Sequence, residues 1–96
     1  MGWTALTIPE EYNGLDFGYV GLGQVLEEMG RNLTKAPLLS SIVLSGTTLV
    51  NSTNARLKST WIPQIMNGTK RLAFALDEKN YFDPTAIETT AISTAE

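Results

Sequence analysis

The chain has 96 residues, 43% hydrophobic and 18% charged, with a net charge of −3 and neither Cys nor His. That length makes one domain at most, burying about 60–65% of the unfolded chain's surface, and the absence of a basic stripe argues against nucleic acid and anionic membrane as partners. Without Cys there is no disulfide framework, Fe–S centre or thiolate zinc site, and without His the commonest general base and metal ligand are missing, so no metal site is expected.

Met1-Gly2-Trp3-Thr4 has neither the basic nor the long apolar region of a secretion signal. Ala36 to Val50 is too short and too rich in Ser and Thr to span a bilayer, so a cytoplasmic protein is expected. Gly2 to Thr7 is apolar, through Trp3, Ala5 and Leu6, and fits either a helix end or an extended segment. Opening on an apolar Trp, the chain reads as a segment of a longer protein. Ile8 to Gly18 is a turn-rich lead-in punctuated by Pro9, Asn13, Gly14 and Gly18.

The spacing then predicts a helix over 19–30. Leu22, Val25, Leu26, Met29 and Leu33 form one apolar stripe. Asp16 is the expected N-cap and Gly30 the expected left-handed terminator. Glu27 and Arg31 stand four apart and can pair on the wet face. Gly21 and Gly23 each cost about 1 kcal/mol of helix propensity, which makes sense where a backbone or ligand approaches closely.

A second helix follows, capped by Thr34 with Pro37 in its first turn. Leu38, Leu39, Ile42, Val43, Leu44, Leu49 and Val50 lie nearly all round it, predicting burial on more than one side, as a core helix or the wall of an apolar pocket. Its Ser and Thr hydroxyls can bond back to their own turn. After an Asn51–Asn54 loop containing a cap, a third helix carries Leu57, Trp61 and Ile65 on its inner stripe. Pro63 should kink or restart it, and Asn67-Gly68 should end it. The period then changes: Leu72, Phe74 and Leu76 alternate with Ala73 and Ala75, predicting a strand, with a second one possible over 87–92. A lone strand leaves a row of unpaired amides and carbonyls, so this tail reads as the start of another domain.

Several motifs carry little. Gly18, Gly21 and Gly23 are not in dinucleotide-binding order. The Asn-X-Thr/Ser triplets at Asn32, Asn51 and Asn67 read as capping chemistry. Of the adjacent carboxylate pairs, Glu10/Glu11 and Glu27/Glu28 read as solvated surface. Asp77/Glu78, entering a loop after a buried segment, are candidates for a site.

Five ordered landmarks resemble the acyl-CoA dehydrogenase family. They are Gly2-Trp3 with Leu6, then Ile8-Pro9-Glu10-Glu11-Tyr12 with Gly14-Leu15, then Val25-Leu26-Glu27-Glu28-Met29-Gly30-Arg31. Trp61-Ile62-Pro63 with Gly68, and Leu72 to Leu76, complete the set. The resemblance implies a mainly α fold, a helical-bundle N-terminal domain over 1–69, with one or two β-strands over 70–96 that begin a middle β-domain. It implies an FAD-dependent enzyme acting on acyl-CoA, with electron-transfer flavoprotein or a similar acceptor and a homo- or hetero-oligomeric assembly. The family's catalytic base lies in a C-terminal bundle, and no position here matches it, so no catalytic residue is assigned.

After the strand the family has Thr-Glu-Pro, a Gly-rich turn and Ser-Asp, a segment that touches flavin and substrate. Here it is Leu76-Asp77-Glu78-Lys79-Asn80-Tyr81-Phe82-Asp83. In one register Leu76 replaces the Thr, Asp77 stands for the Glu, Phe82 replaces the Ser and Asp83 keeps the Asp; in the other, Asp77 and Glu78 stand for Thr-Glu. The resemblance thus points to Phe74, Leu76, Asp77 and Phe82 as cofactor contacts and Asp83 as a substrate contact, with the glycines gone in either register. The alternative is a non-catalytic helical association module, or a partner subunit derived from the family.

Overall fold

The computed structural model describes residues 2–94. Two 3-10 turns, Trp3–Ala5 and Glu10–Tyr12, precede three helices. Helix α1 runs Gly18–Arg31. Helix α2 is π-wound over Leu39–Gly46 and continues as α-helix over Thr47–Asn51. Helix α3 is Ala55–Met66.

The lead-in folds back on itself. The amides of Leu15, Asp16 and Phe17 donate to the carbonyls of Ala5, Ile8 and Leu6 at 2.9, 3.0 and 2.7 Å. The crossing is so tight that a Cβ on Gly14 would stand 1.9 Å from the Ile8 carbonyl oxygen. Ala5, Leu6 and Ile8 are buried by this closure, and the Thr4 hydroxyl ties it to the last turn of α3 by donating to the Met66 carbonyl. Asp16 is therefore not the cap of α1. It sits at φ +44° inside the reversal, and the cap position falls to Phe17, whose side chain makes no cap bond.

Leu22 and Met29 of α1 are buried and Val25 and Leu26 half-buried, as the stripe requires, but Leu33 is 87% exposed. The helix ends at Arg31 rather than Gly30, and Leu33 takes the left-handed position at φ +51°. The Thr34 amide reaches Met29 O at 2.8 Å and the Leu33 amide reaches Gly30 O at 3.2 Å, the paired bonds of a Schellman ending. Thr34 is thus spent closing α1 and does not cap α2. Arg31 pairs with Glu27 at 3.1 Å and with Glu28 at 3.3 Å.

The π-winding of α2 turns Leu38, Ser41, Ile42, Ser45 and Gly46 inward and leaves Leu39 and Leu44 58% and 42% exposed. Ser45 Oγ donates to Ser40 O, five residues back, at 2.8 Å, and Thr48 Oγ1 to Leu44 O at 2.8 Å. The expectation of burial all round therefore gives way to a one-sided helix with small residues at the contact. Asn54 caps α3, its side-chain oxygen accepting from Leu57 N at 3.1 Å. Helix α3 runs through Pro63 to Met66 without restarting and stops at Asn67, with Gly68 at φ +75°. Its inner face is Ile62 and Ile65, while Leu57 is 43% exposed. The core joins Leu6, Leu22, Met29, Leu38, Ile42 and Ile65 from the lead-in and all three helices, each fully buried Leu or Ile contributing about 1.5–3 kcal/mol.

The predicted strands at 72–76 and 87–92 do not form: among the described residues no strand is present, and 70–94 is turn and coil. Leu72 still packs against the core, and its amide donates to Ser41 Oγ at 3.2 Å. No residue from 73 to 94 is buried. The alternating pattern is present, but no second strand offers the ladder bonds that would hold it extended.

Two substitutions test this architecture. Gly14→Ala drives a methyl into the Ile8 carbonyl and should cost about 3 kcal/mol, a large share of the stability of so small a domain. Leu33→Gly relieves a left-handed strain of about 1–2 kcal/mol, offset by about 0.4–1 kcal/mol of unfolded-chain entropy. A net gain of about 0.5 kcal/mol is expected, since the exposed side chain packs on nothing. Chemical denaturation followed by circular dichroism reads both.

Candidate functional site

Two cavities open on the helical part. The larger, about 410 Å³, lies between the lead-in and α1, walled by Trp3, Phe17, Gly21, Val25 and Met29. The Phe17 ring lies against Gly21, where a Cβ would come within 2.0 Å of it. The approach at Gly21 is thus by a neighbouring side chain rather than by the backbone or ligand expected there, and Gly23 faces open space. The carboxylate on the cavity's wall, Glu28, faces Arg31 at 3.3 Å and Asn32 Nδ2 at 3.4 Å, so its charge is already compensated. The cavity can take an apolar group but presents no unpaired acid or base to it. The smaller cavity, about 250 Å³, lies where α2 begins and α3 ends, over Leu38, Ile42 and Ile65, with Lys70 and Arg71 beside it.

The residues singled out in the tail line neither of these cavities. Phe74 is 40% exposed and Phe82 81% exposed; Asp77 is exposed, and Leu76 and Asp83 are half-buried. What the tail brings together instead is its own backbone. Glu78 accepts the Glu88 amide at 2.6 Å and the Thr89 amide at 3.0 Å, and Lys79 pairs with Glu88 beside them. The Thr89 hydroxyl, then the Glu88 amide, hold the Glu78 carboxyl below its ordinary pKa. Asp83 accepts the Thr85 hydroxyl at 2.7 Å and the Thr85 amide at 3.1 Å, which hold its carboxyl low in the same way. The closed loop of residues 78–89 escaped the sequence reading, because a carboxylate ten residues from its amide partner leaves no local signal. The Asp83-Pro84-Thr85 turn is the part that chemistry at short spacing does announce.

A turn-rich apolar lead-in, three helices sharing one core, and a tail without a sheet define a small helical domain. Residues 1–69 match the model of the acyl-CoA dehydrogenase N-terminal domain, and the chain belongs to the acyl-CoA dehydrogenase family. Over 81 residues it is 32% identical to acyl-CoA dehydrogenase FadE12 of Mycobacterium tuberculosis, a match covering 81% of this chain and 20% of that protein. FadE12 of Mycobacterium bovis matches to the same extent. The chain thus spans about a fifth of the length of the curated relatives it matches. No solved structure matches it. Among the described residues no helix is long and apolar enough to cross a membrane.

The Glu78 closure gives a pH prediction. Its native carboxyl titrates below the ordinary Glu value, so closure is complete above that value and is lost as pH falls through the lowered native one. In an acid titration followed by amide chemical shifts, Glu88 and Thr89 should move together, and Glu78→Gln should abolish the transition at both.

Proposed function

We propose that this chain is the helical N-terminal part of an FAD-dependent acyl-CoA dehydrogenase, and that 70–96 belongs to the start of its middle β-domain. The observation that carries the reading is the family match over 1–69 on a domain whose α1 and α2 leave Tyr19, Val20, Leu39 and Leu44 exposed. Those faces are what a helical wall offers to the rest of a larger enzyme. In such an assembly the chain supplies binding surface on the acyl side, and the base and the electron acceptor, an electron-transfer flavoprotein or a similar protein, come from elsewhere.

The residues here do not by themselves fit a flavin. Phe74 and Phe82 are exposed on a coil, the carboxylates of Glu78 and Asp83 are spent on Glu88, Thr89 and Thr85, and neither of the two cavities described above is lined by residues 74–83. The assignment of Phe74, Leu76, Asp77 and Phe82 to the cofactor and Asp83 to the substrate therefore rests on the family resemblance, and requires the tail to be rebuilt as a strand against further chain. The second reading, a non-catalytic association module or partner subunit, is favoured by that same self-closed loop.

Titration of the 96-residue chain with FAD, followed by flavin fluorescence and circular dichroism, should show no saturable binding with helical signal retained. Fusing residues 1–94 to the C-terminal four-fifths of FadE12 should then yield a yellow protein with bound flavin. A folded but colourless fusion overturns the enzyme reading in favour of the association module.

A further inference from the structure

We propose that the smaller cavity binds a small monocarboxylate with a compact apolar tail. Its floor is apolar: Leu38, Ile42 and Ile65 line it and are 6%, 2% and 2% exposed. Of the hydroxyls on its wall, Thr4 Oγ1 donates to Met66 O, while Ser41 Oγ accepts the Leu72 amide at 3.2 Å and keeps its own proton to donate to an anion. Beside that donor stand two cations, Lys70 and Arg71. Among the described residues neither has an ion-pair partner, and no Asp or Glu lines the cavity. In a chain of net charge −3, this is a local excess of positive charge beside an apolar hole. The start of α2, which runs from this edge, adds the positive end of its dipole.

That combination selects an anion with an apolar body. A neutral tail forgoes the charges, and a bare anion forgoes the floor. A cavity of about 250 Å³ has room for a short-chain carboxylate, for which hexanoate is the probe. Because Lys70 and Arg71 are exposed, the charge discriminates modestly, by about fivefold, and more weakly as salt rises. The proposal stands on the cavity and its charges and is independent of the dehydrogenase reading.

The test is a titration of the isotope-labelled 96-residue chain with hexanoate at low salt, read from amide shifts. One saturable site is expected, with shifts concentrated at Leu38, Ile42, Ile65 and Gly68 to Arg71. Acetate and hexanol should each bind about fivefold more weakly or worse. The double variant K70Q/R71Q, altered only at exposed side chains, should weaken hexanoate about fivefold. R56Q, which removes a cation away from the cavity, should leave it unchanged. Absence of a saturable shift, hexanol binding as tightly as hexanoate, or K70Q/R71Q binding at the native affinity would each overturn the proposal.

Discussion

The fold depends on one backbone crossing. Before α1 the chain has only two short 3-10 turns, yet it supplies Ala5, Leu6 and Ile8 to the interior. It can do so because Gly14 lets the returning strand of chain touch the Ile8 carbonyl, where a Cβ would overlap it. The amides of residues 15–17 then pair with carbonyls of residues 5–8, so buried backbone is satisfied without helix or sheet. Closure leaves Ile8 1% exposed, its Cδ1 close to Gly46 of α2. The lead-in is thereby a packed layer beneath the helices.

The second constraint is the winding of α2. A turn wider than 3.6 residues shifts which positions share a face. Here it gathers Ser41, Ser45 and Gly46 on the buried face and turns Leu39 and Leu44 outward. The Ser45 hydroxyl bonding five residues back follows the same winding. Tyr19 of α1 meets Thr47 hydroxyl to hydroxyl at 3.1 Å where the regular α-helix resumes. Ser41 has a different task, holding the Leu72 amide and so fixing where the tail leaves the bundle.

Much of this was legible in the residues. The α1 stripe through Leu22, Val25, Leu26 and Met29 follows from spacing alone, as do the Glu27–Arg31 pair, a cap within Asn51–Asn54 and the Asn67-Gly68 terminus. The departures have two causes. Pairing across the lead-in draws Asp16 into the reversal at Ile8, while a local Schellman ending with Leu33 in the left-handed position carries the terminus past Gly30 and uses the Thr34 amide on Met29. Leu39, Leu44 and Leu57 lie on the exposed side because α2 is wound more widely than a 3.6-residue period and α3 turns Ile62 inward. The family was legible through ordered landmarks, some of which are packing or turn requirements of the domain, as Ile8, Gly14 and Met29 are.

The tail shows where sequence pattern stops being sufficient. Leu72, Phe74 and Leu76 alternate as a strand does, but alternation states only which side would face a core. A strand also needs a neighbour for its amides and carbonyls. Without one, residues 73–94 make only a few bonds among themselves, through Glu78, Asp83 and a Lys79–Glu88 pair at the surface. Surface contacts of this kind contribute little individually, so the closed loop is a state that a more demanding partner can displace. A paired sheet edge would offer Leu72 to Leu76 backbone bonds along their whole length, and burial for Phe74 and Leu76, at the expense of one carboxylate clamp. The same residues can therefore read as a strand in an assembled enzyme and as a loop in this chain. The difference lies in whether a second edge is present, which these side chains do not encode.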